Sequence, residues 1–297
     1  MTILMFHYVR PHKCKNLRFL KKFSIEKFRS FLDQYNKSDF YTRSDFQNFQ
    51  ENVPFDKKIL LTFDDGLSDH FDYIFPELKA RNITGIFFIP TIPFLEKNTL
   101  LSVHKLHILY GKLGWENLKK LFLSKINLSE NEFNLKFKNN NYIKAYPFDK
   151  KQISIFKYAL NYILEEHLVS KIADELISEN IEKDLINNFY LTKSNINEMQ
   201  NYGMVFGAHG HKHKPFSSLD NSKFKIEISK FTRILKELSI DPFSVSYPYG
   251  DTSSINNENI NLLKSYNYKM GFIAENIIFK NDFFRIPRKD CSYLKIN

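Results

Sequence analysis

The chain has 297 residues, of which 43% are hydrophobic and 16% aromatic, enough to bury a sizeable core as one large domain or as a domain carrying a substantial insertion. Lysine and arginine outnumber aspartate and glutamate by 43 to 33, a formal charge of +10 that suits an anionic partner such as a membrane surface or an acidic substrate, while no basic run marks a nucleic-acid tail. Cys14 and Cys291 are too few for a disulfide framework, and no Cys-x-x-Cys pair suggests a zinc knuckle.

The opening stretch MTILMFHYVRPHK holds an apolar run broken by His7 and Arg10, with no small-residue cleavage site behind it, so it does not read as a secretory signal. No segment approaches the roughly 18 uninterrupted apolar residues of a membrane helix. The expected location is cytoplasmic, with peripheral contact to the inner face of a membrane left open. Short runs rich in Ile, Leu, Val and Phe predict strands over residues 2–9, 58–63, 84–89, 204–208, 243–247 and 270–274. Between them, SIEKFRSFLDQY with Ser24 as N-cap, DYIFPELKAR and SSLDNSKFKIEISKFTRILKEL carry helical spacing. Strands alternating with helices predict an α/β domain with a largely parallel sheet or barrel, in which function collects at the carboxyl ends of the strands. From about residue 99 to 193 the alternation stops. SVHKLHILYGKL, WENLKKLFLSKI, DKKQISIFKYALNYILEEHL and SKIADELISENI read as helices, which predicts a helical insertion (99–193) within a discontinuous domain (1–98 and 194–297).

The chemistry-bearing residues flank that insertion. In KILLTFDDGLSDH an apolar strand runs into Asp64, Asp65 and Gly66. Burying two adjacent carboxylates without compensation is costly, and alternation along a strand sends them to opposite faces and separate tasks. In FGAHGHKHKPF a strand ends in His209, His211 and His213. In a helical turn His209 and His213 share a face, and two imidazoles with one carboxylate make a hydrolytic metal site that leaves positions open for water and substrate. The third stretch, SYPYG at residues 246–250, follows a strand where a backbone N–H can face a developing oxyanion.

These three stretches, in this order and each at a strand end, resemble the polysaccharide deacetylase family, also called NodB-homology or carbohydrate esterase family four. The resemblance covers about residues 1–95 and 194–290. It implies a distorted (β/α) barrel and metal-assisted removal of an acetyl group from a sugar. Carried onto this chain, it makes Asp65, His209 and His213 the ligands of one divalent metal ion, zinc first among candidates. It makes Asp64 the general base and the backbone N–H of Tyr249 part of the oxyanion hole. The family's arginine of the third motif is missing near Ser246; Arg288 in FRIPRKD is the first replacement, Arg285 the second. The family's late histidine, the general acid, is also missing, since no histidine follows His213. The opening ILMFHYV resembles the first strand of the circularly permuted poly-N-acetylglucosamine deacetylases, and that resemblance makes His7 the acid.

Other residues have plainer expectations. His104 and His107 read as a packed or surface pair, His211 as a neighbour of the site or a solvent-facing residue, His70 as solvent- or cleft-facing, and Trp115 as core. The implied substrate is an N-acetylated sugar of bacterial envelope-glycan synthesis, nucleotide-linked or lipid-pyrophosphate-linked, with no nucleic-acid partner. Removal of another small acyl group such as formyl, or a catalytically silent glycan-binding module, are the alternatives.

Overall fold

The computed structural model describes residues 2–12, 17–47, 58–96, 99–138, 142–143, 150–275 and 282–294. Two compact units are distinguished: Met1–His12, Lys22–Thr99 and Asn188–Asn297 form one, and Lys13–Lys21 with Leu100–Asn187 form the other.

The first unit is built on a parallel sheet of eight strands. These are β1 (Thr2–Phe6), β4 (Ile59–Phe63), β5 (Gly85–Ile89), β6 (Val205–Ala208), β7 (Ser244–Ser246), β8 (Met270–Ile273), β9 (Ile286–Pro287) and β10 (Lys289–Asp290), in the spatial order β10-β1-β4-β5-β6-β7-β8-β9. Two further short strands, β2 (Val9–Arg10) and β3 (Phe23–Ser24), pair separately. The sheet is nearly closed into a barrel, as the alternation of strands and helices predicts. The last stretch of chain brings the two edges together: β9 pairs with β8, β10 pairs with β1, and only Arg288 lies between them. The central strands β4 and β5 are buried at every position, as expected where both faces of a parallel sheet are covered.

Alternation along the strands sorts the side chains. Phe6, Phe63, Phe87 and Phe206 stand in register across four neighbouring strands, with the rings of Phe63 and Phe87 stacked at 4.7 Å. They belong to the main core with Phe28, Leu78 and Phe231 from the helices. The opposite face holds Ile3, Leu60, Ile86, Phe88 and Phe272. Helix Ile25–Leu32 starts where expected, with Ser24 Oγ accepting from the Lys27 N–H at 3.1 Å. In helix Asn221–Glu237 the buried Phe224, Ile228, Phe231 and Leu235 mark the face turned to the core.

Two expectations change in this unit. The first strand stops at Phe6, so His7 stands beyond its end rather than interrupting it. The chain leaves the sheet there because Tyr8 and its neighbours pair elsewhere, the Tyr8 carbonyl accepting from Phe23 N at 2.9 Å. The segment DYIFPELKAR does not start as an α-helix. It opens as a π-helical turn, His70–Ile74, and becomes α-helical over Phe75–Arg81, ending at the left-handed Asn82.

The second unit is helical, with helices Ser102–Leu113, Trp115–Lys125, Glu130–Phe137, Lys151–Tyr158 and Glu166–Asn180. Phe122, Phe133 and Phe156 meet in its interior. The helix expected over 149–168 is interrupted. A π-helical turn occupies Ala159–Ile163, and Leu164 and Glu165 are extended before the next helix begins. Trp115, expected in the core, is half-buried, stacked on Tyr110 at 4.4 Å with Lys157 Nζ 4.7 Å from its ring. No helix among the described residues is long and apolar enough to cross a membrane.

Candidate metal centre and its surroundings

β4 ends at Phe63, and Asp64 extends the ladder by one bond, its N–H donating to the Phe6 carbonyl at 2.9 Å. Asp65 then takes φ +81 and Gly66 φ +61. A β-carbon at Gly66 would lie 3.0 Å from Ile89 Cγ2, so this turn needs both the glycine's freedom and its small size. The turn separates the two carboxylates. Asp64 faces Arg288 and Ser246, whereas Asp65 faces His209 and His213.

Asp64 and Arg288 form a buried, two-pronged ion pair. Arg288 Nη1 donates to Oδ1 and Nη2 to Oδ2, each at 2.7 Å, and the two residues are 2% and 1% exposed. Nη2 also donates to Ser246 Oγ at 2.7 Å, and that hydroxyl donates to Asp64 Oδ2 at 3.0 Å. Ser246, near which the resemblance places an arginine, thus hydrogen-bonds to the arginine that arrives from the far end of the chain. Burial alone would raise the Asp64 carboxyl, but the charges of Arg288 and His209 and the Arg288 hydrogen bonds outweigh it and hold it at about 2. Arg285, the second choice, pairs instead with Asp282 at 2.6 Å and with Asn257.

Asp65 Oδ1 lies 3.5 Å from His209 Nε2 and 3.4 Å from His213 Nε2. The donor atoms of all three residues lie within 4.8 Å of one another, and they are the one such metal-capable cluster among the described residues. Two donors each ~2.1 Å from a tetrahedral ion are roughly 3.4 Å apart, which matches both carboxylate–imidazole separations. The tautomer fits as well. His209 Nδ1 lies 2.8 Å from the Ser246 carbonyl; a carbonyl only accepts, so Nδ1 donates, and in the neutral ring Nε2 carries the lone pair that a cation would take. Burial disfavours the His209 imidazolium, yet the charge of Asp64 and the bond and charge of Asp65 raise its pKa. With Arg288 committed to Asp64, the remaining carboxylate between two imidazoles draws positive charge to this point.

The histidines do not share a helical face, contrary to expectation. β6 ends at Ala208 and residues 209–213 form a loop with Gly210 at φ +72 and His213 at φ +56. Neighbouring segments fix it. Gly210 O accepts from Thr91 N and His211 O from Ile92 N, both at 3.1 Å, while Glu227 Oε1 accepts from the N–H groups of His211 and Lys212 at 2.8 and 3.0 Å. His211 turns away to Thr91 Oγ1 at 2.9 Å, an anchoring place consistent with its expected role as a neighbour. Glu227 and Thr91 escaped sequence reasoning, because nothing in a helix-face glutamate or a post-strand threonine distinguishes them from surface or turn residues.

Backbone strain is concentrated here. Seven non-glycine residues have positive φ among the described residues; four are Asn or Ser, and the other three are Asp65, His213 and Tyr249. Such conformations cost roughly 1–2 kcal/mol each and persist where surroundings enforce them. Tyr249 is 38% exposed, with its ring 5.3 Å from that of His213. His7 stands just past β1, next to Phe6, whose carbonyl accepts from the Asp64 N–H at 2.9 Å. Next to it Tyr8 is buried, and burial first, then Asp65, pushes its phenol pKa well up, so it stays protonated. His70, expected at the solvent or cleft edge, is instead fully buried against Phe63 and Phe87. His104 is buried with its ring 5.8 Å from His107. Cys291 is half-buried, and burial pushes its thiol up to about 12; Cys14 lies outside the described residues.

Residues 148–271 match the family model described as polysaccharide deacetylase. The matched stretch includes the histidine loop and SYPYG and leaves out Asp64 and Asp65. The structure is similar to the deacetylase PplD of Streptococcus pyogenes, solved with acetate, at 15% identity over 98% of this chain and 91% of that one, with a TM-score of 0.57. It is similar to IcaB of Ammonifex degensii at 16% identity, covering 97% and 89% with a TM-score of 0.53. A de-N-acetylase of Aggregatibacter actinomycetemcomitans is similar at 15% identity, covering 97% and 93% with a TM-score of 0.52. No curated protein matches the sequence. The family model thus covers under half of the chain, and the solved deacetylases share its fold.

Proposed function

We propose, from the NodB-type esterase family as premise, that the chain is a metal-dependent hydrolase removing the acetyl group from an N-acetylated sugar of a bacterial envelope glycan. The observation that carries this is the pairing of two buried sites at adjacent residues: Asp65 with His209 and His213, and Asp64 with Arg288. One cluster suits a divalent cation, zinc first among candidates for a carboxylate and two imidazoles. The other is an ionised carboxylate locked in orientation beside it.

When bound, the cation polarises the acyl carbonyl and makes water more acidic. Asp64 takes the proton of the attacking water, Arg288 and Ser246 fixing the direction of its lone pairs. The backbone N–H of Tyr249 faces the oxygen that gains charge as the carbonyl becomes tetrahedral. The C–N bond then breaks, and His7 gives a proton to the departing nitrogen, so that acetate and a free amine leave. An imidazole suits that task because it exchanges protons near neutral pH. The expected substrate is nucleotide- or lipid-pyrophosphate-linked, which the charge of +10 favours by attracting phosphates; that charge also favours cytoplasmic work at the inner membrane face. The helical segment 99–193 is assigned as an insertion serving substrate recognition.

Acetate release from a panel of acetylated and formylated sugar conjugates, free and pyrophosphate-linked, tests the proposal. Acetate from N-acetylated sugars supports it. Formate release alone points to the formyl specificity, and binding of glycan without any hydrolysis to the silent module.

A further inference from the structure

His70 is an expensive residue where it stands. Its ring centroid lies 5.7 Å from that of Phe63 and 5.6 Å from that of Phe87, in a place that a phenylalanine or leucine would fill. Its Nδ1 is buried with no hydrogen-bond partner, and an unsatisfied buried polar atom costs about 1–3 kcal/mol. Such an atom in a native core calls for a reason. What the imidazole supplies is one bond: Nε2 lies 3.1 Å from the backbone carbonyl of His7, and since a carbonyl only accepts, the ring donates. Burial lowers the His70 pKa to about 4, so the ring is neutral near pH 7 and the proton stays on the nitrogen that faces His7.

Two other bonds cross between the same two stretches of chain. Before His7, the Phe6 carbonyl accepts from Asp64 N at 2.9 Å. After it, Arg10 Nε donates to Asp69 Oδ2 at 2.6 Å, a pair only 8% and 4% exposed in its side chains. His7 itself belongs to no strand.

We propose that His70 is a positioning residue for the general acid: by holding the His7 carbonyl it fixes His7 beside Asp64, with the Arg10–Asp69 pair securing the chain beyond. This rests on the assignment of His7 as the acid. His70→Phe fills the space without the donor. In the full-length, zinc-loaded protein acting on an oligomer of N-acetylglucosamine, it should lower kcat roughly tenfold to a hundredfold, the scale for a misplaced catalytic group. KM and bound zinc should stay unchanged. In a His7→Ala background the same substitution should have no further effect on kcat, since the group it positions is gone. A full additional loss in that background, an unchanged kcat in the single variant while His7→Ala is impaired, or loss of zinc from His70→Phe overturns the inference. His7→Ala with undiminished turnover overturns instead the assignment beneath it. If His70→Phe does not fold, His70→Leu, which also lacks the donor, carries the same comparison.

Discussion

Replacing Arg288 by methionine separates stability from chemistry at this site. Burial raises the Asp64 carboxyl, but Arg288 leads the groups that bring it from the ordinary 3.8 down to about 2. Because the folded-state value is depressed, the pair stabilises the fold above about pH 4 and that contribution is lost as pH falls towards 2; it amounts to roughly 2.5 kcal/mol. Arg288→Met does more than cancel it. It leaves a carboxylate that is 2% exposed with Ser246 Oγ as its hydrogen-bond donor, and breaking a buried pair in this way costs about 3–5 kcal/mol. The variant escapes part of that cost by protonating Asp64 at a higher pH than the parent does. The deficit is therefore largest at neutral pH and narrows in acid. Urea unfolding of both proteins with a chelator present, at neutral pH and near pH 4, measures it. Adding Asp64→Asn to the variant should recover much of the loss at neutral pH, because the unpaired charge is then gone. A deficit below about 1 kcal/mol, or one equal at both pH values, would refute the reasoning.

Removing a metal-facing side chain should act differently from removing the base: Asp65→Ala and His213→Ala should lose tight zinc binding, whereas Asp64→Asn should keep zinc and lose turnover, both read from metal content and rate on purified protein. His7→Ala should retain zinc and fold while losing on the order of a hundredfold or more in kcat; unchanged turnover and pH dependence would remove His7 from the mechanism. Glu227→Leu strips the acceptor from the His211 and Lys212 N–H groups and should weaken zinc binding by roughly tenfold to a hundredfold, the scale for outer partners of a metal site. An unchanged zinc affinity by competition titration would show that the loop holds its shape without it.

The barrel was legible because β1, β4, β5, β6 and β8 lie in short apolar runs followed by a break, with β7 inside the Phe243–Tyr247 run, and a strand buried on both faces needs nothing else to announce itself. Its closure was not, since β9 and β10 have two residues each, too short for any periodicity. Arg288 drew notice only through the lack of an arginine near Ser246. The histidine loop shows the limit of spacing arguments. His209 and His213 are four apart and do meet, yet through left-handed turns at Gly210 and His213 and hydrogen bonds to Thr91, Ile92 and Glu227, all of them distant partners invisible along the chain. His70 was misplaced for a related reason: it begins a π-helical turn, and its ring packs on Phe63 and Phe87, partners that its neighbours in sequence do not announce. The extended Leu164 and Glu165 likewise leave no mark in a run whose apolar spacing stays helical across them.

The most direct measurement is a zinc titration of chelator-stripped protein, following acetate release from an oligomer of N-acetylglucosamine and from pyrophosphate-linked N-acetyl sugars. Release should be absent without metal, rise with added zinc and level off at one equivalent per chain, with His213→Ala silent at the same zinc concentrations. Acetate released equally in the presence of chelator, or an unimpaired His213→Ala, would contradict a hydrolytic metal centre at Asp65, His209 and His213.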